Sequence, residues 1–403
     1  MRNGWPLIGA LAVAQLVSWG AIYYGFSLFV VPMEAELHWG RTAINGALSL
    51  GLLGSGFAAY PIGSWIDRRG GRLVMSLGSA LGTLLLAAWA FVENIAIFYA
   101  IWIGLGVVMA ATLYDPVFVV LTRSFPRDYR LRITSLTLIG GFASTVFIPL
   151  TQLFITWLGW RHALIALALC NLAIALPVHA LWLRDQNPPE PDEVASRGAP
   201  PVQEDASLGR AFHHPVFWSL ALCFTAYYAT FSAMTFHLVP LLTERGASTG
   251  IIVSAYATIG PAQVAGRVAL LLIPGGFSTA IAGRIALLAL PTSMLCLIFF
   301  PSSIVALFVF AVLYGAGNGV LTIVRGTAVP DLMWREGYGA INGALALPSN
   351  IAKAAAPFGA ALIWSLSGGY DAVLWSIFAG SVLAALAWWY AALRPQRFFF
   401  MRA

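Results

Sequence analysis

The chain alternates between long apolar runs and short polar or Gly/Pro breaks, and the runs are nearly uniform in length. At about 1.5 Å rise per residue, a helix needs about 20 mainly apolar residues to cross the hydrocarbon of a bilayer. Runs of that length fall at 6–32, 42–65, 73–92, 95–121, 133–158, 161–183, 215–242, 249–272, 281–300, 302–329, 338–366 and 371–393. The pattern predicts an all-α membrane protein of twelve transmembrane helices. One interval is long: RDQNPPEPDEVASRGAPPVQEDASLGR, rich in proline and acid. Such a composition cannot bury a core, so 184–214 is expected to be a flexible linker. It separates six spans in 1–183 from six in 215–403.

Composition agrees with this pattern. Hydrophobic residues make up 60% of the chain and charged ones 9%, against about 25% charged in a soluble domain. A chain this apolar cannot cover a water-facing surface. The N-terminal run follows a single arginine and has no small-residue cleavage site, so it is read as the first span and not as a signal peptide. Sixteen arginines fall on the face carrying both termini, and only Arg41, Arg161 and Arg245 fall on the other. That bias predicts cytoplasmic termini, and it assigns the net charge of +6 to loops rather than to nucleic-acid binding. Cys170, Cys223 and Cys296 lie in apolar runs without metal-ligand spacing. No nucleotide motif or catalytic triad is present, so neither an enzyme nor a cofactor is expected.

The two halves echo each other. FVVPM in the first span and HLVPL in the seventh put Pro32 and Pro240 208 residues apart. GWRHAL and GGYDAVL open the sixth and twelfth spans at an offset of 209, and RITSLTLIGGFAS parallels AINGALALPSNIAK. Repeated six-span halves are the plan of a transporter that binds its substrate near the bilayer midplane.

The loop GSWIDRRGGR carries Gly63, Asp67, Arg68, Gly70 and Arg72 in the order G-x-x-x-D-R-x-G-x-R. With the twelve-span plan, it makes the whole chain resemble the major facilitator superfamily. The resemblance implies two pseudo-symmetric six-helix bundles, with Asp67 capping the eleventh span to latch the cytoplasmic side. It also implies a charge relay between Arg72 and Asp115. The second-half counterpart, IPGGFSTAIAGR, has no acid, so any latch there must work differently. Arg325 in the tenth span is expected either to act as a gate, pairing with Asp331 or Glu336, or to snorkel to the surface.

Two further cations lie inside spans. Lys353 is the only lysine and lies ~13 residues from either end of its span, about 20 Å along a helix. Arg267 is nearer an end of the eighth span, where snorkelling is the alternative. An ionisable residue within a span is costly and usually faces a cavity or a partner. Two cations sharing one cavity would favour an anionic ligand, with arginine offering a fork suited to a carboxylate. Here the chain is similar to bacterial oxalate–formate exchangers and monocarboxylate porters, which carry an arginine in span eight; the exchangers also carry a lysine in span eleven. It departs from the animal porters at Gln263, where they have an acid, and in lacking a lysine in span one. TSLTLIGGFASTVFIPLT also resembles proteobacterial facilitators that include arsenite-efflux members.

Around these cations, Tyr23 and Tyr227 are candidate lining residues, since a buried phenol needs a partner. His237 is a candidate either for a coupling proton or for packing. Asn350 lies one turn before Lys353. The sequence thus predicts a monomeric secondary transporter that moves a small organic anion, a carboxylate by preference, by symport or antiport. Alternating access across a bacterial inner membrane is the expected mode, with a proton as one candidate coupling ion and the coupling itself left open by the sequence. The alternatives are efflux of a neutral or hydrophobic compound (arsenite or a drug) and a transport-dead sensor on the same fold.

Overall fold

The computed structural model describes residues 4–183, 204–273 and 276–393. Among these there is no strand. The first unit holds α1 (Trp5–Leu37), α2 (Arg41–Arg69), α3 (Arg72–Trp89), α4 (Ile95–Ser124), α5 (129–158) and α6 (160–182). There follow α7 (Pro215–Glu244), α8 (Thr249–Leu271), α9 (Thr279–Phe299), α10 (Ile304–Leu332), α11 (Tyr338–Ser367) and α12 (Tyr370–Leu393).

Among the described residues, nine stretches are both long and apolar enough to span a bilayer. One of them, Tyr129–Trp182, is two helices, because Gly159 reverses the chain at φ 78°, in the left-handed region that favours glycine. The other two segments, α8 and α11, have the length to span but fall short of the same apolarity. These are the helices that carry Arg267 and Lys353.

Several helices are interrupted. In α1, Trp19–Tyr24 widens into a π-turn. In α4, Leu113 is extended (φ −81°, ψ −156°), and the Gln15 amide donates to the Thr112 carbonyl beside that break at 2.6 Å. Non-helical backbone at membrane depth is tolerated where protein groups satisfy it in this way.

The chain forms two compact units: residues up to Gly209 with Glu336–Leu347, and Arg210–Arg335 with the chain from Pro348 onward. Hydrophobicity does not drive helices together in lipid, so close contact depends on small residues. In the second unit, a Cβ on Gly319 of α10 would lie 2.1 Å from the Gln263 carbonyl of α8. In the first, a Cβ on Gly63 of α2 would lie 2.1 Å from the Gly339 carbonyl, and one on Gly343 would lie 2.5 Å from the Ala59 carbonyl. The crossing of Ala59/Gly63 with Gly339/Gly343 explains why the first turns of α11 group with the first unit.

Residues 184–203 of the expected linker lie outside the described residues. Glu204–Phe212, beyond the last linker proline (Pro201), is helical. Its Ser207 hydroxyl donates to the Glu336 carbonyl at 2.7 Å.

Candidate functional site

The close crossing of α8 and α10 positions Arg267. Its residue is 4% exposed, and its Nε donates to the Gly319 carbonyl at 3.3 Å, within reach because Gly319 has no side chain. On α7, Tyr227 is buried and donates to Asn318 Oδ1 at 2.8 Å, while the Asn318 amide donates to the Tyr314 carbonyl at 2.7 Å.

Arg267 and Arg325, for both of which snorkelling is the alternative, are each buried. Arg325 is 6% exposed, with its guanidinium 5.5 Å from the Phe224 ring and 5.3 Å from the Tyr228 ring. Two aromatic faces one turn apart on α7 hold the cation inward. A cavity of about 10 Å³ beside Tyr227, Tyr314 and Asn318 has room for about one water, too little for an organic ligand.

Lys353 is half-buried on α11, as is Asn350. Proline at 357 has no N–H, so the Lys353 carbonyl four residues earlier loses its helical partner. The Ser232 hydroxyl of α7 fills that place, donating to the Lys353 carbonyl at 2.7 Å. Replacing Ser232 with alanine is expected to remove this bond and to cost about 1 kcal/mol, read as a lower unfolding temperature of the purified protein. An unchanged transition would show that the hydroxyl does not hold α11.

His237 sits further along α7. Its Nδ1 is 3.0 Å from the Tyr370 hydroxyl, and its Nε2 is 2.9 Å from the Pro357 carbonyl. A carbonyl only accepts, so Nε2 carries the hydrogen and Nδ1 accepts from the tyrosine. His237 therefore joins α7, α11 and α12.

In the first unit, Tyr23 belongs to an aromatic cluster on the π-turn. Trp19 is 5.3 Å from Tyr23, 5.9 Å from Tyr24 and 5.1 Å from Tyr114. The loop motif is also in the first unit. Asp67 Oδ2 accepts from the Ala340 N–H at 2.9 Å, in the first turn of α11, where unpaired N–H groups favour a carboxylate. Arg68 is exposed. Arg72 Nε donates to the Ala180 carbonyl of α6 at 2.7 Å. Asp115 Oδ1 accepts from the Asn342 amide of α11 at 3.2 Å.

Arg123 was not singled out from the sequence, where it reads only as one more loop charge. It donates to the Ile66 and Asp67 carbonyls and so holds the end of α2 beside the motif. In the second-half counterpart, Pro274 and Gly275 lie outside the described residues. There the Thr279 hydroxyl donates to Asp331, an acid at the end of α10.

Comparison with known proteins agrees with this architecture. A crystal structure of the Major Facilitator Superfamily transporter FucP in the outward conformation superposes with a TM-score of 0.73 at 14% identity, covering 96% of this chain and 98% of that one. The human organic anion transporter MFSD10 superposes at 0.66 with 16% identity, over 96% and 98%. Among curated sequences, human monocarboxylate transporter 11 is 29% identical over 278 residues, 66% of this chain and 56% of that protein. Its mouse counterpart is 30% identical over 175 residues, 42% and 38%. The chain thus spans about half the length or less of these curated relatives. Residues 11–292 match the profile of the Major Facilitator Superfamily, and with twelve helices in two repeated halves and the Asp67 loop at the start of α11, the chain belongs to that family of membrane transporters.

Proposed function

We propose that this chain moves a small organic anion, a carboxylate by preference, by secondary active transport with alternating access. The observation that carries the reading is that both span-interior cations other than Arg325 lie well inside α8 and α11, helices long enough to cross the bilayer. Arg267 is buried there against a backbone carbonyl. Charge at that depth is retained at a cost and calls for a function. The relative described as a monocarboxylate transporter and the neighbour described as an organic anion transporter support the same cargo class.

On this reading Arg267 and Lys353 bind the anion, with Tyr227, Tyr23 and Asn350 as lining groups. The contacts of both His237 nitrogens support a packing role that joins α7, α11 and α12. Asp67 on Ala340, with Arg68, Arg72, Asp115 and Arg123 around it, serves as the gate latch. The arginine bias supports cytoplasmic termini. The resemblance to bacterial exchangers supports a bacterial inner membrane.

Thermal unfolding of the purified protein against carboxylates, their amides, neutral metalloids and hydrophobic drugs tests the reading. A bound carboxylate at a hundred times its Kd stabilises by ~2.7 kcal/mol, and its amide should not. Equal stabilisation by acid and amide would remove the anion site.

A further inference from the structure

The two units share a device at the end of α1 and α7 remote from the chain termini. In the first unit, Glu36 in the last turn of α1 accepts from the Trp160 indole at 2.5 Å and from Arg161 Nε at 2.8 Å. Both donors open α6, immediately after the left-handed Gly159. Arg161 also donates to the carbonyls of Ala90 and Val92, just past α3, at 2.7 and 3.3 Å, and lies 4.4 Å over the Trp160 ring.

In the second unit the carboxylate is Glu244, 208 residues after Glu36, at the end of α7. It accepts from the Trp364 indole of α11 at 2.7 Å and from the Tyr370 N–H at 3.1 Å. Tyr370 opens α12 two residues after Gly368, another left-handed glycine (φ 74°), 209 residues after Gly159. Arg245 donates to the Leu297 carbonyl in the last turn of α9 at 2.7 Å and to Asp371 at 3.0 Å.

The parts correspond, but the residues are redistributed. Each unit has a carboxylate on its first helix, an indole donor, a glycine reversal and an arginine on carbonyls at or just past the end of its third helix. The arginine is on the closing helix in one unit and on the first helix in the other. Two independent solutions to one geometry point to a requirement on each unit and not to chance packing. Charge-assisted bonds to a carboxylate, and arginine on helix-terminal carbonyls, are among the stronger polar contacts available.

We infer that Glu36 and Glu244 are positioning residues of transport: each ties the end of its unit's first helix to the start of the closing helix, so that this end moves only together with its own unit. The inference needs transport by this family's fold, and it does not need the cargo to be an anion.

The test uses the full chain in lipid nanodiscs, with Glu36→Gln and Glu244→Gln made separately. Hydrogen exchange should rise about fivefold over residues 26–37 in the first variant while α7 is unchanged, and the reverse should hold in the second. Turnover is measured with whichever acid, amide, metalloid or drug of the panel above most stabilises the wild type. It should fall about fivefold while KM holds, as expected for a lost positioning contact. Exchange that rises across a whole unit, a KM that rises while kcat holds, or wild-type turnover in a folded variant would each overturn the inference. If a glutamine variant does not fold, Trp160→Phe and Trp364→Phe each remove one donor. They should show the same pattern at about half the size, and wild-type behaviour in both overturns it equally.

Discussion

Lys353→Gln is expected to weaken carboxylate binding by roughly ten- to a hundredfold, the value of a hydrogen bond to a charged group. Binding of a neutral ligand of similar shape should change little. The variant should fold at least as well as wild type, because an ammonium group at that depth opposes membrane insertion. Lys353→Arg should bind poorly despite its charge. The guanidinium is bulkier and presents a rigid fork, and a shift of α11 to make room would strain the Ser232 bond to the Lys353 carbonyl at 2.7 Å. Arg267→Lys is expected to lose the Nε contact to Gly319 along with the fork. Equilibrium binding and flux on folded protein check all three. Normal carboxylate binding and transport by Lys353→Gln would show that the lysine is not a substrate residue.

Gly63→Ala is expected to be among the most damaging single-methyl changes in the chain. The added Cβ would lie 2.1 Å from the Gly339 carbonyl and 2.5 Å from its carbon, so it meets backbone on a facing helix rather than a side chain that can turn away. The helices must separate, and the Asp67 contact to Ala340 is lost with them. Overpacking of this kind costs about 1–3 kcal/mol and sometimes more. Unfolding temperature and hydrogen exchange over residues 338–347 report both effects. Gly359→Ala is the control on α11 itself: nothing lies within 4 Å of its Cβ position, so stability should hold or rise with the better helix former. Equal behaviour of the two variants would show that the α2–α11 crossing does not depend on glycine.

Hydropathy alone determined much of this architecture. The twelve spans and the six-and-six division could be read because the membrane imposes one length on every crossing helix. The GSWIDRRGGR loop gave Asp67 its helix-capping role, because a carboxylate in a short loop and an unpaired helix N-terminus attract wherever they meet. Arg267 and Lys353 could be picked out because charge inside a span is rare.

What sequence could not determine is which way each helix is turned. Depth along the membrane normal follows from residue number, but the partners of a side chain depend on helix rotation and crossing distance. These are set by which small residues meet which carbonyls on another helix. Arg325 has the sequence context of a snorkelling residue, yet Phe224 and Tyr228 hold it inside. Asn342 for Asp115, Arg123 for the end of α2 and Ser232 for Lys353 came only from packing. The clamps show the limit most directly. Glu36 and Glu244 align at the repeat offset, but Arg161 aligns with Tyr370 and Arg245 with Leu37. The shared contact geometry has no shared sequence pattern, because a carboxylate needs donors at the right distance and any helix that brings them there will do.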